Sequence, residues 1–93
     1  MVEQTARSAK VYVDVIVAFD KIGSVKPIQL VWEDGEKFDI DRVLDVRPAA
    51  AMKAGGQGDR YTIRVHGKES FLFFERNSLG NGSNLGRWFV ERR

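Results

Sequence analysis

Residues 27–47 read Pro-Ile-Gln-Leu-Val-Trp-Glu-Asp-Gly-Glu-Lys-Phe-Asp-Ile-Asp-Arg-Val-Leu-Asp-Val-Arg. Two runs of alternating apolar residues flank Asp34-Gly35, a strong short-range signal for a β-hairpin. A two-residue turn there would set Glu33 against Glu36, a destabilising like-charge pair, and would oppose Leu30 to Asp39 and Ile28 to Asp41. A three-residue loop, Glu33-Asp34-Gly35, instead puts Gly35 at the left-handed position of a type I turn with a G1 bulge. Ile28 then faces Ile40, Leu30 faces Phe38, and Trp32 joins them. A slip of one residue exchanges every side chain between faces, so the register with one clean apolar face is the one predicted.

The remaining 72 residues are compatible with a single small domain around that hairpin. At 43% hydrophobic residues the 93-residue chain is too apolar to be disordered. It has no cysteine, which excludes disulfides and thiolate metal sites. No run is long enough to span a membrane and the first residues carry no signal-peptide core, so a cytoplasmic location is expected. The net charge of +2 is too small to imply a nucleic-acid partner by itself. Its distribution is uneven: residues 14–45 hold eight acids and four bases, residues 46–93 nine bases and four acids. This is the pattern of an acidic and a basic face, or of internal complementarity.

Residues 1–9 are polar and aperiodic and read as a flexible tail, with residues 10–93 as one β-barrel domain. Residues 11–19 are β-branched and aromatic, with Val11, Val13, Val15, Val17 and Phe19 on one face and Tyr12, Asp14, Ile16 and Ala18 on the other. After a loop at 20–24, Pro27 suits the first position of the next strand. Residues 36–46 make a long strand in which Arg42 intrudes on the apolar parity, as expected where one strand bends to serve two sheets. Pro48 stops it, and Ala49 to Ala54 favour a short helix at 48–54 ahead of a loop at Gly55-Gly56-Gln57-Gly58. That loop lacks the Lys-Ser/Thr and the following long helix of a phosphate-binding loop. Residues 60–66 and 69–76 form a second hairpin, predicted to turn on Gly67-Lys68 as type II′, pairing Tyr61 with Phe74 and Ile63 with Leu72 on one face. The other face then pairs Arg60 with Glu75, Thr62 with Phe73, Arg64 with Phe71 and His66 with Glu69. Residues 77–86 read as a loose turn, and 87–92 as the last strand.

The fold class is therefore all-β: a small six-stranded antiparallel barrel, SH3-like as first choice and OB-like as second, with at most one short helix. Closure would hide the edges that six apolar strands otherwise expose. The predicted core is Val13, Val15, Val17, Ile28, Leu30, Trp32, Phe38, Ile40, Leu44, Tyr61, Ile63, Leu72, Phe74 and Trp88.

Pro27-Ile28, Trp32-x-x-Gly35-x-x-Phe38-x-Ile40-x-x-Val43-x-Asp45-x-Arg47, Arg60-Tyr61, a Phe-rich strand ending in Glu75-Arg76, and Gly86-Arg87-Trp88-Phe89-Val90-Glu91-Arg92 together resemble a family of small bacterial β-barrel domains of unknown function. Some relatives look like domains appended to the C-terminus of translesion-polymerase-like proteins. Those tend to be richer in Arg and Trp, whereas this hairpin is acidic at Glu33, Asp34, Glu36, Asp39 and Asp41. The resemblance spans residues 27–92 and assigns no activity or site.

No catalytic motif is present, and the protein is expected to be a non-enzymatic binding module without cofactor or metal. His66, the only histidine, sits at a turn with no partner group implied by spacing. Asp39 and Asp41 share a strand face near Gln29, but a cation loop needs more oxygen ligands, and solvated acids account for the pattern. The candidate binding residues are Arg60, Arg64, Lys68, Phe71 and Phe73, with Arg87, Arg92 and Arg93 as extensions. Cations interleaved with rings on an open sheet face serve phosphates and base stacking, which makes single-stranded nucleic acid one candidate partner. The alternative is a protein-interaction or self-associating module using the same face. The competing structural reading buries Phe71 and Phe73 under Ala49–Ala54, under the N-terminal strand or under another chain.

Overall fold

The computed structural model describes residues 9–50, 57–82 and 84–92. Among them are seven antiparallel strands and no helix: β1 (Ala9–Phe19), β2 (Val25–Val31), β3 (Lys37–Asp39), β4 (Arg42–Ala50), β5 (Gln57–Val65), β6 (Lys68–Asn81) and β7 (Asn84–Arg92). No helix among the described residues is long and apolar enough to cross a membrane. The strands form one sheet in the order β3-β2-β1-β7-β6-β5-β4. It curls into a half-barrel whose two ends, β3 and β4, are consecutive in the chain.

Two corners produce the curl. β1 pairs with β7 through Ala9–Val13 and with β2 through Asp14–Phe19, so one strand passes from one wall to the other. At the second corner Ile40 donates its backbone N–H to Ile28 O (3.0 Å) and the next residue, Asp41, donates to Arg64 O (2.8 Å). The strand expected over 36–46 is thus two strands serving two walls, which is why six were counted and seven are found.

The first hairpin has the predicted register, with Leu30 opposite Phe38 and Gln29 opposite Asp39. Gly35 N donates to Trp32 O (2.8 Å), Trp32 N to Glu36 O (2.7 Å), and Gly35 has φ 90°, a left-handed conformation that glycine adopts without Cβ strain. In the second hairpin the turn is His66-Gly67, with φ 52° and 78°, and Val65 faces Lys68. Positive φ at both central residues makes it type I′, whose twist matches the flanking strands. The expected Gly67-Lys68 turn was therefore misplaced by one residue, and the pairing slides by two: Tyr61 opposes Leu72, Thr62 opposes Phe71, and Arg64 opposes Glu69. A slide of two preserves parity, so the side chains of 60–65 and 69–76 keep their predicted faces, whereas His66, expected on the outer face opposite Glu69, enters the turn and packs against Phe38.

The core holds Val13, Leu30, Tyr61, Ile63 and Leu72, with Val11, Val15, Trp32, Phe38, Ile40, Val43, Val65, Phe74, Trp88 and Val90 packed against them. Trp88 bridges Tyr61 and Phe74, at ring separations of 5.1 and 4.9 Å. Three expected core residues lie elsewhere. Ile28 is exposed because a bulge pairs Ile16 with Gln29 and Val17 with Pro27, leaving Ile28 as the extra residue. Pro27, which cannot donate to a ladder, takes the buried place beside that bulge rather than the first position of the strand. Leu44 is exposed for the same reason, at a bulge between Val43 and Asp45 that turns Val43 inward. Val17 is half-buried and outside the cluster.

The helix expected at 48–54 is contradicted over Pro48–Ala50, which continue β4 opposite Asp59, Gly58 and Gln57. Residues 51–54 lie outside the described residues, as do Gly55 and Gly56 of the expected loop; Gln57 and Gly58 are strand. Gly58 is buried, and a Cβ there would run into the backbone carbonyl of Phe74. The turn expected over 77–86 is mostly strand, since β6 runs on to Asn81 and pairs it with Asn84. Of the expected tail, residues 1–8 lie outside the described residues and Ala9 pairs with Arg92.

Candidate functional site

Facing pairs carry one continuous row across the outer side of the sheet: Tyr12 opposite Phe89, Phe89 opposite Phe73, Phe73 opposite Arg60, and Arg60 opposite Arg47. Period-two alternation produces it, because Val13, Trp88, Phe74, Tyr61 and Val46 beside these residues take the opposite face. Phe73 and Phe89 stack at 5.0 Å with planes 7° apart. Tyr12 meets Phe89 edge-on at 5.8 Å, and Phe71 meets Phe73 at 6.4 Å. Each end of the aromatic group carries cations on its rings: Lys10 lies over Phe89 (4.8 Å), Arg87 over Tyr12 (4.1 Å) and Arg60 over Phe71 (4.6 Å).

The two ends differ in how their charges are satisfied. At the β1 end Glu75 collects them: Tyr12 Oη donates to Oε1 (2.8 Å), Lys10 Nζ to Oε2 (3.3 Å), and Arg87 lies 3.8 Å away. The Tyr12 hydrogen bond and the Lys10 ammonium hold the Glu75 carboxyl below its ordinary value, against the opposing effect of burial. Burial and the Glu75 carboxylate push the Tyr12 phenol up. At the β5 end Arg60 and Arg64 make no ion pair among the described residues, and neither does Arg42. The Nε of Arg60 is buried without a hydrogen-bond partner. The register places Arg42 opposite Arg64 and Arg47 opposite Arg60, so four arginines occupy two adjacent strands. Only Arg47 is paired, with Asp45 at 2.6 Å.

Of the expected site residues, Arg60, Arg64, Phe71 and Phe73 share this face. They are not equivalent: Phe71 is 48% exposed, whereas Phe73 is 7% exposed and is structural. Lys68 faces Val65, which packs on the core, so it stands on the opposite side of the sheet at the hairpin end. Arg87 belongs to the face but is committed to Tyr12 and Glu75; the Arg92 side chain and Arg93 lie outside the described residues. The N-terminal strand contributes part of the expected cover, through Tyr12 and Lys10. Ala49 and Ala50 are strand rather than a covering helix, and residues 51–54 lie outside the described residues. Sequence reasoning missed Tyr12, Phe89, Arg42 and Arg47. Tyr12 and Phe89 stand opposite in parity to core neighbours, which was visible, but which strand lay beside which was not.

The other candidate groups are occupied by ordinary structure. His66 packs edge-on against Phe38 (5.9 Å). Asp39 accepts a hydrogen bond from Gln29 Nε2 (2.9 Å). Among the described residues no three His, Asp or Glu side chains are grouped as a metal would need. No protein-family model, curated protein or solved structure matches the chain.

Proposed function

We propose that this domain binds single-stranded nucleic acid, without catalysing a reaction, on the outer face of β4, β5 and β6. The observation that carries the reading is the double arginine pairing, Arg42 with Arg64 and Arg47 with Arg60, beside the exposed ring of Phe71. Like charges directly opposite across a ladder are unfavourable, and a phosphate between them relieves the repulsion. Phe71 lies opposite Thr62, between the two arginine rows, so a backbone tracking the arginines can lay a base on the ring. The expected setting is the cytoplasm.

The test is fluorescence anisotropy with a labelled single-stranded oligonucleotide over a salt series. Counterion release requires affinity to fall steeply with salt, by a log–log slope of about 0.7 for each phosphate neutralised. Arg64→Ala should flatten that slope, and Phe71→Ala should cost about 1–3 kcal/mol of binding. Binding that is absent or indifferent to salt defeats the proposal. Self-association abolished by Phe71→Ala would support the protein-interaction reading, which the exposure of Phe71 and Tyr12 favours.

A further inference from the structure

The ladder between β6 and β7 begins only at Phe73 and Phe89, although β6 starts at Lys68 and β7 continues to Arg92. The last residues of β7 pair instead with β1, Val90 with Val11 and Glu91 with Lys10. Where β6 and β7 part, they leave an open groove of about 520 Å³ lined by Glu69, Ser70, Phe71, Phe73, Val90 and Glu91. Its aromatic edge is the same exposed Phe71 ring. Glu69 and Glu91 are exposed and make no ion pair among the described residues, since Lys10, opposite Glu91, sends its ammonium to Glu75.

Glu69 faces Arg64 and Glu91 faces Lys10 across their ladders without an ion pair to either, and two carboxylates beside the stacking ring would repel phosphate, so they do not serve the nucleic-acid backbone. A base lying on Phe71 would present its edge to this groove, which that ring borders. Ionised carboxylates only accept hydrogen bonds, and cytosine N4, adenine N6 and guanine N2 offer amino donors to them. Thymine and uracil offer one imide N–H between two carbonyl oxygens, which would face the carboxylates with like partial charge. We infer that the groove reads the edge of the stacked base through Glu69 and Glu91 and selects amino-bearing bases over thymine or uracil. This inference rests on the nucleic-acid reading above.

The experiment compares oligo(dC), oligo(dA) and oligo(dT) of equal length in the same anisotropy assay at fixed salt. Oligo(dC) and oligo(dA) should bind roughly tenfold more tightly than oligo(dT), within the range that base-edge contacts discriminate. The double variant Glu69→Ala/Glu91→Ala should bring the three affinities together by raising or preserving that for oligo(dT), with an unchanged unfolding midpoint. Equal binding of all three by the unaltered protein, with a steep salt slope, overturns base selection and leaves the nucleic-acid reading standing. Preference for oligo(dT), or selectivity that survives the double variant, overturns it as well. No salt-dependent binding to any of the three overturns both.

Discussion

Phe71 and Phe73 are two positions apart on one strand face and do different work. Phe73 is enclosed by Phe89 and its neighbours, so Phe73→Ala should cost about 3–5 kcal/mol in denaturant unfolding, as truncation of a buried aromatic does. Phe71 is half exposed under Arg60, and Phe71→Ala should change stability by about 1 kcal/mol or less while removing the stacking surface. Glu75 sets a pH dependence. Its carboxyl titrates below its ordinary value of 4.5 in the folded chain, so the folded state favours the ionised form. The resulting stabilisation is fully present above that value and is lost as pH falls through the lower folded value. Glu75→Gln should therefore flatten the acid limb of a stability–pH curve in that window, leaving Tyr12, Lys10 and Arg87 without a carboxylate at any pH.

The His66-Gly67 turn determines how β5 and β6 pair, and its type is testable. Gly67→Ala places a Cβ at φ 78° and should cost about 1–2 kcal/mol. His66→Asn should be neutral or stabilising, because asparagine adopts the left-handed conformation readily and Asn-Gly is the preferred type I′ pair. A type II′ turn on Gly67-Lys68 would leave His66 in extended strand, where asparagine is disfavoured. Opposite effects of His66→Asn on the unfolding midpoint thus distinguish the two registers. The bulges act on the same scale. Each moves one large apolar residue, Ile28 or Leu44, out of the core and bends its strand, which is what a short sheet needs in order to curl.

Both walls share one core, and both corners are continuous chain, so the domain should unfold as a unit. Trp32 packs on the core from the first hairpin and Trp88 from β7. Fluorescence of the single-tryptophan variants Trp32→Phe and Trp88→Phe should therefore each give a midpoint that coincides with far-UV circular dichroism of the same variant. Separate transitions would mean that the β1-β2-β3 wall folds apart from the larger one. Part of the outer face depends on the first and last strands, because Tyr12 meets Phe89, the stacking partner of Phe73, only when β1 and β7 pair. Destabilising the β1–β7 ladder should therefore loosen the Phe89–Phe73 stack beside Phe71 and weaken binding there, although Phe71 itself lies on β6, on the far side of β7 from β1.

The linear chain determined the all-β class, the three-residue loop at Glu33–Gly35 and the face taken by nearly every side chain. Alternation of period two and the left-handed preference of glycine act between near neighbours, so they are legible without knowing the partner strand. Arg60, Arg64, Phe71 and Phe73 could be placed on one face for that reason, and a slide of two in the second hairpin left them there. Other features depended on strand pairing. The Glu75 contacts with Lys10 and Tyr12 join residues far apart in sequence and follow from the pairing of β1 with β7, whereas the stack of Phe73 on Phe89 and the facing of Arg42 with Arg64 follow from the register between consecutive strands. A bulge adds one residue without breaking the local pattern, so Ile28 and Leu44 read as core until their partners were known. The strand at Pro48–Ala50 overrode a local helix preference because its backbone groups pair with Gln57–Asp59, and ladder partners outweigh the small propensity of an alanine run.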